Sequence, residues 1–237
     1  MLIPNTFSGA EDFKDGVLLI VDKPYEWTSF DVVNKLRYAI RKQFGWKKIK
    51  VGHAGTLDPL ATGVLVICVG RATKQINELM AQEKEYTGTI TLGATTPSYD
   101  LETEVDQTFP TDHITEEILE KARQSFLGTI SQTPPIFSAK KIDGKRAYKA
   151  ARAGQEVKMR SVEVDIQRFD LTRVELPEVD FDLKCSKGTY VRSIAFDFGQ
   201  KLDSGAHLST LRRTASGPFS IDQAKTVEEL VGLIENV

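Results

Sequence analysis

Residues 52–69 read GHAGTLDPLATGVLVICV, and the architecture is decided here. The second half, Val64-Leu65-Val66-Ile67-Cys68-Val69, is an unbroken apolar run. It is far short of the roughly 18 residues a membrane helix needs, and it suits a strand buried on both faces. The first half is an irregular loop fixed by Gly52, Gly55, Gly63 and Pro59, and within it His53 and Asp58 are the titratable side chains. Loops set on a rigid strand concentrate catalytic residues, although Asp58 can equally serve as a local turn cap.

Working outward, Gly16-Val17-Leu18-Leu19-Ile20-Val21 predicts a second buried strand, ended by Asp22-Lys23-Pro24. Thr28 or Ser29 can cap a helix whose apolar stripe is Val32, Val33, Leu36, Ala39 and Ile40. Residues 85–92 alternate like a half-buried strand and lead into an acidic loop. Helical spacing follows over Ile114 to Leu127, alternating strands over 162–174 and 179–185, a helix near 190–202, a short Gly-rich turn and a last helix near 226–235. Residues 1–15 read as a loose lead-in. Long strands with intervening helices predict an α+β fold with a mixed central sheet. The segment 134–160 lacks the strand pattern on either side of it and reads as an insertion.

The chain has 237 residues, 41% of them hydrophobic and 27% charged, which excludes collagen, a disordered tail and a disulfide scaffold. Glu11, Asp12 and Asp15 near the start do not resemble a secretory signal, and Cys68 and Cys185 lack metal-ligand spacing. The expectation is a protein of a reducing cytoplasm without a membrane partner. A formal charge of −2 conceals an asymmetry. Seven Lys or Arg and no acid lie between Lys35 and Lys50. Eight Lys or Arg against Asp143 and Glu156 lie between Lys140 and Arg160, whereas Asp100 to Glu120 holds eight acids and no Lys or Arg. Local field rather than net charge steers a polyanion, so an acidic chain can present a basic face. Solvated helix faces would give the same runs.

Lys187-Gly188-Thr189-Tyr190-Val191-Arg192-Ser193 opens the helix near 190, offering Tyr190 and Arg192 as candidate site residues beside the plainer reading of a core tyrosine and a surface ion pair. Gly70-Arg71-Ala72-Thr73-Lys74 lacks the spacing of a phosphate-binding loop, no G-x-S-x-G is present, and His53, His113 and His207 form no metal-ligand pattern.

The segment from Gly52 to Leu65 resembles the signature of the tRNA pseudouridine synthase B family, whose members isomerise uridine 55 in the tRNA T-loop. The resemblance runs in family order over roughly residues 16 to 220. It takes in Asp22-Lys23-Pro24, Glu85-Tyr86 with Leu92-Gly93, Pro134-Pro135 with Ser138-Ala139 and Lys141, and Gly144 with Arg146-Ala147-Tyr148. Ala151-Arg152, Cys185 to Arg192, Gly205 to Leu208 and Leu211-Arg212-Arg213 complete it. Phe137 stands where the family usually has tyrosine, and with about twenty residues after Pro218 the C-terminal RNA-binding module of the PUA type that many members carry is expected to be absent or reduced to one helix.

The resemblance implies the pseudouridine synthase fold in one catalytic domain over 1–237, with 134–160 as a basic RNA-gripping insertion on a largely antiparallel sheet. It implies Asp58 as the catalytic carboxylate, kept ionised by Arg192. Tyr86 would stack on the base and serve as a candidate for the final proton removal, and Tyr190 and Leu211 would wall the pocket. His53 would stack in the space the flipped uridine vacates. Lys23, Lys141, Arg146, Tyr148 and Arg152 are expected to contact RNA, with the basic stretch 35–50 extending the track along the T-arm. No metal or organic cofactor is implied for a redox-neutral isomerisation, and a monomer is expected. Whether Asp58 attacks the sugar, attacks the base or abstracts a ribose proton stays open. Competing readings are a guide-RNA-directed synthase, a catalytically silent tRNA chaperone and a general single-stranded RNA binder.

Overall fold

The computed structural model describes residues 6–137 and 159–237, together with the backbone of 141–142 and 145–146. In chain order its elements are α1 (Ala10–Asp15), β1 (Val17–Lys23), α2 (Ser29–Phe44), β2 (Val51–His53), β3 (Ala61–Val69), α3 (Ile76–Met80) and β4 (Lys84–Leu92). There follow β5 (Ala94–Thr95), β6 (Gln107–Thr108), α4 (Glu116–Gln124), β7 (Gly128–Gln132), β8 (Lys141–Ile142), β9 (Lys145–Arg146), β10 (Val162–Glu175) and β11 (Glu178–Cys185). Last come α5 (Val191–Lys201), β12 (Ala206–Ser216), β13 (Phe219–Ser220) and α6 (Val227–Glu235). This is an α+β fold with a mostly antiparallel sheet. The chain forms two compact units, residues 1–86 with 211–237, and residues 87–210.

In the first unit β3 is the central strand. β1 pairs with it antiparallel from Val17↔Val69 to Lys23↔Gly63, and β2 pairs antiparallel through Val51↔Val69 to His53↔Ile67. Leu211, Arg212 and Arg213 of β12 pair parallel with Ala61, Thr62 and Gly63. Alternate residues point to opposite faces, and both faces are covered. Leu19, Val21, Leu65, Ile67 and Val69 pack with the α2 stripe and with Val227, Leu230 and Ile234 of α6. Leu18, Ile20, Val64, Val66 and Cys68 pack with Ala54, Ala72 and Phe219. Burial on both faces is why these strands read as continuous apolar runs. α2 begins in a capping box between Thr28 and Asp31 and ends at Gly45 in the left-handed conformation. Residues 10–15, read as loose, form α1, because Phe13 is fully buried against Phe7 and Phe44.

In the second unit the strand order is β12-β4-β11-β10-β7. β10 pairs antiparallel with β11 on one side and β7 on the other. Phe126, Phe169, Phe181 and Phe198 are buried, with Phe169 edge-on to each of the other three rings. α4 is shorter than the spacing over 114–127 predicted, starting after its Thr115 cap and stopping at Ser125. The Gly-rich turn expected after α5 is largely β12, whose AHLSTLRRTAS carries too many polar residues to read as a buried strand.

Candidate active site

The loop bearing Asp58 lies in the first unit and is held at both ends. The Ala54 amide donates to Val66 O at 2.9 Å, and the Ala61 amide donates to Asp58 O at 3.1 Å, closing a turn. Between them Leu57 is clamped to the start of α2. Ser29 Oγ donates to Leu57 O at 3.0 Å and accepts from the Leu57 amide at 2.8 Å, with both residues buried. Gly63 closes the loop at φ +99°, where a Cβ would stand 2.2 Å from the Arg213 carbonyl oxygen. Glycine is therefore obligatory where β3 and β12 approach. Asp58 itself is partly exposed.

Buried cations hold this loop. Lys23 is fully buried, and its Nζ donates to the carbonyls of Pro24 (2.8 Å), Trp27 (2.5 Å) and Pro59 (3.2 Å). Burial pushes its pKa down to about 8; the Asp58 carboxylate acts against that, Arg213 adds to it, and Asp31 opposes it. At Lys23, where an RNA contact is expected, the ammonium is buried under the loop and binds the residue after Asp58. Arg213, also buried, donates through Nε to Val64 O at 2.6 Å and through Nη2 to Gly55 O at 3.1 Å. Lys84 donates to Met80 O at 2.7 Å and Gln82 O at 2.5 Å. His53 ends β2, and burial, then Arg213, lower its pKa, which keeps the imidazole neutral at pH 7. Its Nδ1 is buried without a hydrogen-bond partner. Tyr86 on β4 is buried, and Leu211 pairs with Ala61 at the edge of the loop.

The second unit presents Tyr190 and Arg192 at the start of α5. The Tyr190 amide donates to Gln132 Oε1 at 2.8 Å, and Gln132 Nε2 donates to Tyr190 O at 3.1 Å. This reciprocal pair fixes the residue that caps the helix. Arg192 is 4% exposed; its Nε lies 3.5 Å from an Asp100 carboxylate oxygen, Nη1 donates to Ser98 O at 3.1 Å and Nη2 to Phe137 O at 3.0 Å. Position 137 thus serves this arginine through its carbonyl, which phenylalanine and tyrosine share. Lys141 and Arg146 are paired across β8 and β9 in backbone register. Tyr148 and Arg152, with most of the insertion 134–160, lie outside the described residues.

The sequence pattern described as TruB family pseudouridylate synthase, N-terminal domain, matches residues 41–191. The chain belongs to the TruB family. The pattern of the tRNA pseudouridylate synthase B C-terminal domain matches residues 192–236. A TruB-family relative from Flavobacterium johnsoniae, named tRNA pseudouridine synthase B, is 55% identical over 90% of this chain and 94% of its own. One from Phocaeicola vulgatus with the same name is 54% identical over 92% of each chain. Among solved structures, a chain of a Cbf5-Nop10-Gar1 complex has a TM-score of 0.69 at 28% identity, covering 97% of this chain; this TruB-family chain spans 59% of that one. A chain of an H/ACA RNP bound to a substrate RNA containing 2′-deoxyuridine gives a TM-score of 0.66 at 26% identity, over 98% of this chain and 61% of that one.

Sequence reasoning therefore placed this TruB-family member correctly but missed several residues that set the site. Of the two cap candidates the sequence offers, Thr28 caps α2, whereas the Ser29 hydroxyl grips Leu57. Asp100 belongs to a run read as a solvated acidic loop, yet it is 5% exposed beside Arg192. The signal for Arg213 was its place in the Leu211-Arg212-Arg213 motif, which does not say that the third residue turns inward.

Proposed function

We propose that this protein isomerises uridine to pseudouridine at position 55 in the T-loop of tRNA, with Asp58 as the catalytic carboxylate. One observation carries the reading: Asp58 sits partly exposed on a loop that Ser29 clamps and Lys23 and Arg213 hold from beneath. A carboxylate presented on such a rigid, partly dry support is suited to attack or proton abstraction. The relatives named tRNA pseudouridine synthase B support the substrate class.

The reaction breaks the bond from ribose C1′ to uracil N1, turns the base, and joins C1′ to C5. The C5 proton is lost and N1 gains one, so the product is an isomer. Asp58 acts on the sugar or the base, or removes a ribose proton. Each route requires the ionised carboxylate, which desolvation opposes and a neighbouring guanidinium favours. Arg192 takes that part, with Asp100 holding its Nε edge. Tyr86 stacks on the base and takes the C5 proton, while Tyr190 and Leu211 wall the pocket. Extruding the uridine costs a few kcal/mol, and the neutral ring of His53 fills the vacated stack. Lys141, Arg146, Tyr148 and Arg152 grip the T-arm backbone, and the enzyme acts as a monomer in the cytoplasm without a cofactor. Among the described residues no helix is long and apolar enough to cross a membrane.

The test uses an unmodified T-arm hairpin carrying tritium at uridine C5. The wild-type protein is expected to release tritium from the one T-loop uridine, mapped by carbodiimide and primer extension. Asp58→Asn is expected to release none while still binding the hairpin. Turnover near wild type in that variant would remove Asp58 from its role, and modification spread over other uridines would remove the T-loop assignment.

A further inference from the structure

The face of α2 turned away from the core is not explained by packing. Val32, Val33, Leu36, Ala39 and Ile40 fill the buried side. On the other side, Phe30, Asn34, Arg37, Tyr38 and Arg41 recur at helical spacing and share one face. Phe30 is 59% exposed and Tyr38 64%, the two most exposed large apolar side chains among the described residues. The Arg37 guanidinium lies over the Phe30 ring at 5.9 Å and donates to Asn34 Oδ1. Lys35, Arg41 and Lys42 are exposed on the same helix, and Lys47, Lys48 and Lys50 on the segment after it. The acidic groups near these cations are few. Asp31 is engaged in the capping box with Thr28, and Glu235 of α6 stands 3.9 Å from Lys42.

We propose that this face of α2 is an RNA-docking surface, with Phe30 and Tyr38 as stacking platforms for unpaired nucleotides and Arg37, Arg41 and Lys35 on their phosphates. The proposal rests on the reading of this protein as acting on a folded RNA. A protein partner would call for a contiguous apolar patch with charges at its rim; here single aromatic rings alternate with cations, the composition that recognises single-stranded RNA. Bases within a duplex are already stacked, so the groups seated on these rings come from a loop or an unstacked junction. Eight residues of helix separate the rings by about 12 Å at 1.5 Å per residue, room for successive splayed bases. The surface is also continuous with the Asp58 loop. Phe30 follows Ser29, whose hydroxyl grips the residue before Asp58. RNA seated at that loop is therefore delivered onto the start of the helix.

Binding of an unmodified full-length tRNA transcript is measured by filter retention over a range of salt. All variants carry Asp58→Asn, so the result does not depend on turnover. Phe30→Ala with Tyr38→Ala is expected to weaken binding about 10- to 100-fold, the loss of one or two stacked bases. Phe30→Tyr with Tyr38→Phe is expected to stay within 2-fold. Arg37→Gln with Arg41→Gln is expected to weaken binding and to reduce the slope of log affinity against log salt by about 1–2. Circular dichroism confirms the fold of each variant. An alanine pair that binds within 2-fold of the parent overturns the proposal. So does an aromatic exchange that loses as much as the alanine pair, or a parent that sediments as a dimer which the alanine pair dissociates. Failure of the wild-type enzyme to form pseudouridine would strike the proposed reaction and leave this binding series readable.

Discussion

Ser29→Ala tests how the Asp58 loop is held. The hydroxyl makes two bonds, at 2.8 and 3.0 Å, to the amide and carbonyl of one residue, and both partners are under 5% exposed. Alanine leaves that amide and that carbonyl without a partner, at about 1–3 kcal/mol for each buried group. The sum is about 2–6 kcal/mol, and we expect about 2–4 once the loop relaxes toward water. Relaxation moves Asp58, the next residue in the chain. A displacement of about 1 Å in a reacting group costs about 100-fold in rate. Urea denaturation and single-turnover tritium release on the T-arm hairpin are therefore measured together. Ser29→Ala is expected to lower both stability and turnover, and Ser29→Thr, which keeps the hydroxyl, to restore most of each. Full turnover with a stability loss under about 0.5 kcal/mol would refute the clamp. A full stability loss with unchanged turnover would separate the clamp from the chemistry.

Two further predictions follow from buried charge. The folded-state pKa of Lys23, about 8 against an ordinary 10.5, means that between pH 8 and 10.5 the unfolded chain holds a proton the folded one has lost, so stability rises with pH across that window. Relative to Lys23→Met, wild-type urea stability is expected to gain about 2–3 kcal/mol from pH 7.5 to pH 10; a constant difference would deny the shift. Asp197 runs the other way, its carboxyl raised by burial to about 6 against the pull of Lys201. Its penalty is absent below about pH 4 and complete above about pH 6. Asp197→Asn is therefore expected to stabilise the protein at pH 7.5 by about 1–3 kcal/mol and not at pH 4, as read by urea midpoints at the two pH values.

Much of the fold was legible because burial left a periodic trace. β1 and β3 are covered on both faces and read as unbroken apolar runs, while β10 and β11 alternate. α2 announced itself by its stripe and its Thr28–Asp31 box. β12 was illegible for a physical reason. Arg213 is among the most deeply buried side chains, and its charge is satisfied by backbone carbonyls that the chain brings together from positions 55 and 64. Hydropathy counts such a residue as exposed. The same holds for Asp100, Ser98 and Thr96, buried polar residues inside a stretch whose composition suggests solvent. Of the site, the Asp58 loop was marked by its glycines and proline. Its supports were not, because Ser29 and Lys23 act on it through backbone atoms, which carry no residue identity.

The parallel ladder between Ala61–Gly63 and Leu211–Arg213 has a consequence for biosynthesis. The two halves of that ladder are born some 150 positions apart, and Gly63 acquires its snug neighbour when the later one emerges from the ribosome. A nascent chain halted before β12 thus has its Asp58 loop unsupported on one side. Closure of the Asp58 loop at Gly63 therefore waits on a strand made some 150 residues later in the chain.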